Sequence, residues 1–391
     1  MKFRHRVARW VVPIGLAPYC KLKYHIDIVK FKEQGKRPYL ILYNHQTGFD
    51  QFFVALSFQG PVYYLATEDI FSMGWVSSLI RWLVEPIPIK KQTTDLTAVK
   101  TCLRVAKEGG TLCIAPEGNR TYSGRTEYMG SGIASLAKKL KLPIALYRIE
   151  GGYGVQPRWS DVVRKGKMKG YVSRVIEPEE IEAMTAEELF KEIETGLYVD
   201  ENKADGSFLS EKRGEFLERA LYVCPFCGLT TLESHGCNVT CKTCGATVTY
   251  NQDKTLTGVG CDFPYTFVGE WYDAQKKLVN GLDLTQMTQT PCYTETVSVW
   301  EVELNKKKTC LNPQTTLKLY GDRLALMDMI LPFDDLTAVS VLGKNKLNVY
   351  YKDKVWQVRG DKRFNALKYV NFYYRYQNIV KGEENGEFLG L

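Results

Sequence analysis

The stretch Tyr39-Leu40-Ile41-Leu42-Tyr43-Asn44-His45-Gln46-Thr47-Gly48-Phe49-Asp50 runs from an unbroken apolar segment into a polar turn that carries a histidine and an aspartate. An apolar run without polar alternation predicts a strand buried on both faces. On a straight helix His45 and Asp50 would diverge by about 140°, at roughly 100° per residue. The pair can therefore meet only across a strand-to-helix turn. Gly48 offers that turn conformational freedom, and Thr47 or Asn44 offers a helix cap. This reading puts His45 at the end of a buried strand, where α/β folds place their sites. A carboxylate that orients an imidazole lets it take a proton from a hydroxyl. Further along, Pro116-Glu117-Gly118-Asn119-Arg120 sets an arginine in a glycine-bearing loop, which suits an anionic group.

Other apolar runs lie at 61–66, 111–115, 143–149 and 171–176, with helical stretches such as Thr94–Glu108 and Gly130–Leu140 between them. Strand-like runs alternating with helices predict an α/β domain over residues 35–200, built on a mostly parallel, covered sheet. Ile70–Ile80, with Trp75, Leu79, Trp82 and Leu83, reads either as an interfacial amphipathic helix or as a core-facing one. Residues 1–34 are basic at the start (Lys2, Arg4, Arg6, Arg9) and contain Trp10 and two prolines, without an A-x-A-like cleavage site. They are expected to be an interfacial segment rather than a secretory signal. The uncharged run Gln51–Thr67 is broken by Gln59, Gly60 and Pro61, so no spanning helix is expected. Residues 201–221 are expected as a helical linker, with a loop near 200–206.

Cys224-Pro-Phe-Cys227-Gly228 and Cys241-Lys-Thr-Cys244-Gly245 are two knuckle motifs thirteen residues apart. Four thiolates at this spacing predict a structural zinc ribbon over 222–250, closed to substrate because no coordination position is left open. His235 and Cys237 lie nearby as lesser alternatives. A redox role for the C-x-x-C pairs would need a thioredoxin-like setting, which is missing. Residues 251–391 shift to short alternating runs: 298–303, 316–320, 324–327, 338–342, 347–351 and 355–359. Turn signals separate them, and an amphipathic stretch closes the chain over 361–379. This pattern resembles a PH-like or GRAM-like domain, against the plainer reading of an unclassified β-rich domain.

The 391 residues carry 52 basic and 44 acidic side chains, a net charge of +8. That mild excess fits anionic phospholipid, nucleic acid or acidic substrates and does not choose among them. The inter-knuckle segment Gly228–Thr240 contains no lysine or arginine, so nucleic-acid binding through the ribbon is not expected. The cysteine count of eleven is odd, and the seven outside the knuckles are scattered. This points to a reducing compartment.

The Asn44–Asp50 stretch resembles the first motif, N-H-x-S-x-x-D, of the PlsC-like glycerolipid acyltransferases, with Thr47 departing from it. Pro116–Arg120 resembles their third motif, F-P-E-G-T-R, with Ala115 and Asn119 departing. Leu142-Pro143-Ile144-Ala145-Leu146 resembles the fourth motif without its second proline. Pro86-Ile87-Pro88-Ile89-Lys90-Lys91 stands where the second motif carries an arginine. The resemblance covers residues 35 to about 180. It implies transfer of a fatty acyl group from acyl-CoA or acyl carrier protein to the hydroxyl of lysophosphatidate or a related lysophospholipid. His45 would be the general base and Asp50 its partner. Glu117, Gly118 and Arg120 would frame the acceptor phosphate, with Lys90 and Lys91 as added charges. A monotopic protein on the cytoplasmic membrane face follows from the same resemblance. The alternative is a non-catalytic lipid-binding or adaptor protein acting through the ribbon and the PH-like domain.

Overall fold

In the computed structural model, residues 3–33, 37–67, 70–71, 75–89, 95–203, 205–303, 306–383, 386 and 388 are described. The chain divides into one unit of Met1–Arg158 with Val163–Ser210 and a second of Trp159–Val162 with Glu211–Leu391.

The first unit opens with α1 (Phe3–Tyr24), β1 (Ile26–Ile28), β2 (Leu40–Tyr43), α2 (Asp50–Ser57), β3 (Val62–Thr67), α3 (Trp75–Val84) and β4 (Ile87–Ile89). It continues with α4 (Leu96–Lys107), β5 (Thr111–Ile114), α5 (Gly132–Leu140), β6 (Ile144–Glu150), α6 (Gly152–Val155), β7 (Met168–Ile176), α7 (Pro178–Ala183) and α8 (Ala186–Leu197). The sheet order is β1-β7-β6-β2-β5-β3-β4. Only β6 and β7 run antiparallel. β2 lies in the middle, in register with Leu112 and Ile144 at Leu40. Its side chains alternate between two cores. Leu40 and Leu42 join Leu112, Ile114 and Leu146 under α4, α5 and α8. Ile41 and Tyr43 join Cys113, Ala145 and Tyr147 under α2 and the end of α1. Burial on both faces is why β2 reads as unbroken apolar sequence.

The edge strands β1 and β4 carry no clear sequence signal, because three residues are too few to establish a period. β1 pairs with β7, so the sheet begins before residue 34, inside the segment expected to stand apart as interfacial. Residues 201–221 are not a helical linker: among the described residues they hold turns and one 3₁₀ turn at Leu217–Arg219. Phe216, just before it, has φ +72°, a conformation incompatible with a continuous helix.

In the second unit, β8 (Val223–Cys224) and β9 (Gly228–Leu229) form a small hairpin. β10 (Leu232–His235), β11 (Asn238–Cys241), β12 (Thr247–Tyr250) and β13 (Leu256–Val259) form an antiparallel sheet in that order, extending past the expected boundary at 250. α9 (Val268–Asn280) follows in a stretch of the expected β-rich domain where no helix was read. Its N-cap is Phe267, and the cap makes no side-chain hydrogen bond of the usual kind, so polar capping gave no cue. Then come β14 (Tyr293–Glu301), β15 (Thr309–Leu319), β16 (Arg323–Leu326), β17 (Met329–Pro332), β18 (Leu336–Leu342), β19 (Lys346–Tyr351), β20 (Lys354–Arg359) and α10 (Leu367–Lys381). These strands form one antiparallel sheet in the order β17-β16-β15-β14-β20-β19-β18.

Candidate active site

His45 stands in the turn between β2 and α2, as the divergence of the two side chains on a helix requires. Its Nδ1 lies 2.8 Å from Asp50 Oδ2. Asp50 is fully buried and accepts three further donors: Gln46 N at 2.6 Å, Thr47 N at 2.9 Å, and Thr47 Oγ1 at 2.6 Å. A group surrounded by donors is an acceptor, so the proton of the pair sits on Nδ1 and the Nε2 lone pair is available. Among the described residues Nε2 makes no hydrogen bond. Burial lowers the His45 pKa below its usual 6.5, opposed by the hydrogen bond and charge of Asp50 and reinforced by Arg120 and Arg158. The imidazole is therefore neutral near pH 7.

Neither Asn44 nor Thr47 caps α2, contrary to expectation. The N-cap is Phe49 and no side chain caps it. Asn44 instead pairs with the backbone of Ile149, donating to its carbonyl at 2.9 Å and accepting from its N–H at 2.7 Å. Gln46 Oε1 accepts from Tyr153 N at 2.9 Å. The glycines of Gly151-Gly152 serve this packing. A Cβ on Gly152 would lie 2.6 Å from the Gln46 Cβ, and one on Gly151 (φ +79°) would strike the Lys167 carbonyl. Gly48 needs no positive φ, and a Cβ there would meet only Arg120 Nη1, at 3.8 Å.

That last distance also sets Arg120 beside the His45 turn. Among the described residues Arg120 makes no side-chain hydrogen bond or ion pair. Burial, with Arg158 as the second cause, brings its pKa down to about 10, so it stays charged. A largely desolvated guanidinium without a hydrogen-bond partner has the chemistry to receive an anion. Gly118 makes the loop turn with φ +67° and a hydrogen bond from its N–H to the Ala115 carbonyl at 3.0 Å.

Glu117 does not orient Arg120. Its Oε1 accepts from His45 N at 2.7 Å and its Oε2 from Glu127 N at 2.7 Å. Burial pushes its pKa well up, opposed by those two backbone donors. Thr121 N donates to the His45 carbonyl at 3.2 Å, so the second loop grips the His45 backbone from both sides. Glu127 in turn orders the loop through Thr121 Oγ1 at 3.0 Å and Ser123 Oγ at 3.1 Å. The structure thus brings together His45, Asp50, Glu117, Gly118 and Arg120. Lys90 and Lys91 lie outside the described residues.

Arg158 is a component that sequence reasoning missed. It is buried, donates from Nη1 to the Arg120 carbonyl at 3.0 Å and from Nη2 to Asn119 Oδ1 at 3.3 Å, and stacks 4.2 Å from the Tyr122 ring centre. No spacing rule in the sequence links it to residues nearly forty positions earlier.

In the second unit, the Sγ atoms of Cys224, Cys227, Cys241 and Cys244 all lie within 4.8 Å of one another. Cys224 and Cys244 are 3.6 Å apart, and Cys227 and Cys241 are 3.5 Å apart. Four sulfurs bound tetrahedrally at about 2.3 Å would stand about 3.8 Å apart, so the donors fit one metal ion. Gly228 (φ +82°) and Gly245 (φ +77°) close the two knuckles, and Phe226 N approaches Cys224 Sγ at 3.5 Å. His235 pairs with Glu233 at 3.0 Å, and neither it nor Cys237 joins the cluster.

Residues 25–149 match the family model described as Acyltransferase. The chloroplastic 1-acyl-sn-glycerol-3-phosphate acyltransferase of Brassica napus is 23% identical over 181 residues, covering 45% of this chain and 51% of its own length. The corresponding Arabidopsis thaliana protein is 22% identical, covering 45% and 49%. The Bacillus subtilis 1-acyl-sn-glycerol-3-phosphate acyltransferase is 24% identical over 28% of this chain and 51% of its own. The chain therefore spans about half the length of the curated relatives it matches. The crystal structure of the Thermotoga maritima acyltransferase PlsC aligns with a TM-score of 0.42 at 20% identity, over 50% of this chain and 80% of that one. Over residues 25–149 the chain is thus similar to acyltransferases, by the family model and by these relatives alike.

Proposed function

We propose that the first unit transfers a fatty acyl group from a thioester, acyl-CoA or acyl carrier protein, to the free hydroxyl of lysophosphatidate or a related lysophospholipid. The observation that carries this reading is the His45–Asp50 pair at 2.8 Å with Nε2 open, beside an unpaired Arg120. Nε2 takes the hydroxyl proton while the oxygen attacks the thioester carbonyl. The tetrahedral intermediate collapses, the C–S bond breaks, and the imidazolium returns its proton to the departing thiolate. Asp50 stabilises the imidazolium between the two transfers. Arg120 holds the acceptor phosphate, while Glu117 acts through the backbone of His45. Purified protein supplied with lysophosphatidate and an acyl thioester is expected to form the diacyl product, and His45→Ala to lose transfer by 10²-fold or more. Equal rates in the two would sink the assignment.

The surface supports work at a membrane face. Among the described residues, no helix is long and apolar enough to cross a bilayer. α1 nevertheless exposes Trp10 (80%), Ile14 (75%) and Leu22, and α3 exposes Trp75 (77%), Leu79 and Trp82, spaced i, i+4, i+7 along one face. The exposed apolar stripes of these helices favour the interfacial reading, with the cytoplasmic leaflet as the proposed side. For the second unit we propose structural zinc on the four cysteines, which would supply folding energy. The strand order β17-β16-β15-β14-β20-β19-β18, followed by α10, supports a PH-like reading of residues 293–381.

A further inference from the structure

We infer that Tyr43 is a further catalytic residue of the first unit, its hydroxyl donating a hydrogen bond to the thioester carbonyl oxygen as that oxygen takes on negative charge. The inference rests on the proposed reading of His45 as the base, and every residue it uses lies within the first unit. The proposed reaction calls for such a donor. When the acceptor oxygen bonds to the carbonyl carbon, the C=O electron pair moves onto oxygen. When the C–S bond breaks, that pair returns and the double bond reforms. A donor aimed at the oxyanion stabilises only the interval between, which is where it speeds the reaction. His45 and Asp50 handle the proton, and Arg120 is assigned to the acceptor phosphate. None of the three serves the oxyanion.

Tyr43 is the last residue of β2, two positions before His45. It is 7% exposed, and its ring lies at 67° to the imidazole with ring centres 5.7 Å apart. A buried tyrosine hydroxyl normally finds a partner. Four neighbouring tyrosines of the same core do. Tyr39 Oη donates to the Glu33 carbonyl at 2.8 Å, Tyr64 Oη to the Gln51 carbonyl at 3.0 Å and Tyr24 Oη to Gln156 Oε1 at 3.3 Å, while the Tyr147 and Ser57 hydroxyls share a bond of 2.8 Å. Among the described residues the Tyr43 hydroxyl makes no hydrogen bond. On the β5 side the next position past the Leu42–Ile114 pair is Ala115, whose side chain offers no acceptor. Burial, and then Cys113, Asp50, Tyr64 and Glu117, hold the Tyr43 pKa well above 10, so the hydroxyl keeps its proton and can only lend it. The spacing suits this role. About 3 Å separates a base from the oxygen it deprotonates, and about 3 Å separates an oxyanion from its donor. With the carbonyl group between them, base and donor stand one substrate group apart, as two neighbouring rings do.

The test uses the full-length protein with acyl-CoA and lysophosphatidate. Tyr43→Phe removes one oxygen and keeps the ring. It is expected to lower kcat by about 10²-fold, with both KM values within threefold of wild type and Tm unchanged, because no hydrogen bond of the resting protein is lost. Tyr64→Phe, which removes a partnered hydroxyl, should do the reverse: a lower Tm and an unchanged kcat. Tyr43→Leu should repeat the loss in kcat and decides the matter if the phenylalanine variant does not fold. Wild-type kcat in Tyr43→Phe overturns the inference and leaves the ring as core packing. A raised acceptor KM at unchanged kcat also overturns it, since the hydroxyl would then serve acceptor binding. So does a loss in kcat matched by a loss in Tm, which is general destabilisation. Transfer abolished in His45→Ala but intact in Tyr43→Phe removes this inference alone, whereas no transfer by the wild type removes the proposed function and this inference with it.

Discussion

As the proposed general base, His45 combines two demands that pull against each other: it must lose its proton easily when idle and hold one during the reaction. Burial serves the first and Asp50 the second. A general base works only when unprotonated, and its folded pKa is depressed. kcat/KM should therefore be level near pH 7 and fall tenfold per pH unit only below a limb that lies under 6.5. A pH–rate profile with its acid limb above 6.5 would contradict this placement. Glu117 holds the backbone of His45, on which that proposed chemistry would depend. In Glu117→Gln one accepting oxygen becomes an N–H donor facing His45 N or Glu127 N, leaving a buried donor unsatisfied. The expected cost is about 1–3 kcal/mol in denaturant unfolding, accompanied by a fall in kcat as the imidazole shifts. The pairing of His45 with Asp50 was legible because five positions of sequence join them. The role of Glu117 was not, because its partners are backbone N–H groups that leave no mark on residue type.

Elements carried their own signals where both faces were buried or one face was wide. β2, β5 and β6 read plainly as apolar runs, and the helical stretch read at Thr94–Glu108 is α4, capped by Asp95, whose carboxylate accepts from Thr97 N and Ala98 N. β1 and β4 were too short to read. α3 is the element whose sequence left two readings open, since a stripe of Trp75, Leu79 and Trp82 suits a core or a membrane equally. In the structure these three side chains are exposed, which speaks against the core-facing reading and leaves the membrane as the proposed one. Replacing Trp75 and Trp82 together by Ser is expected to weaken partitioning onto anionic phospholipid vesicles by tenfold or more, as each buried indole contributes about 1.5 kcal/mol or more. Co-sedimentation measures it, and unchanged partitioning would remove α3 from the proposed interface. His45→Ala should partition like the wild type, which separates membrane docking from catalysis.

At the scale of the molecule, the cysteine cluster predicts one zinc ion per chain by elemental analysis, lost in Cys227→Ser together with a lower unfolding temperature of the second unit. Protein purified without any bound metal, yet equally stable, would refute it. The amino-acid sequence by itself determined the α/β order of the first half, the turn that must join His45 to Asp50, and the four-cysteine knuckles. All of these depend on neighbours within a few positions, where hydrophobic period, turn chemistry and ligand spacing are written directly in residue type. Only the tertiary structure decided that Glu117 clamps the His45 backbone, that Arg158 underlies Arg120, and that Trp159–Val162 belongs with the second unit. Those contacts join residues tens of positions apart, several of them through main-chain atoms common to every residue, so chain folding alone brings them together.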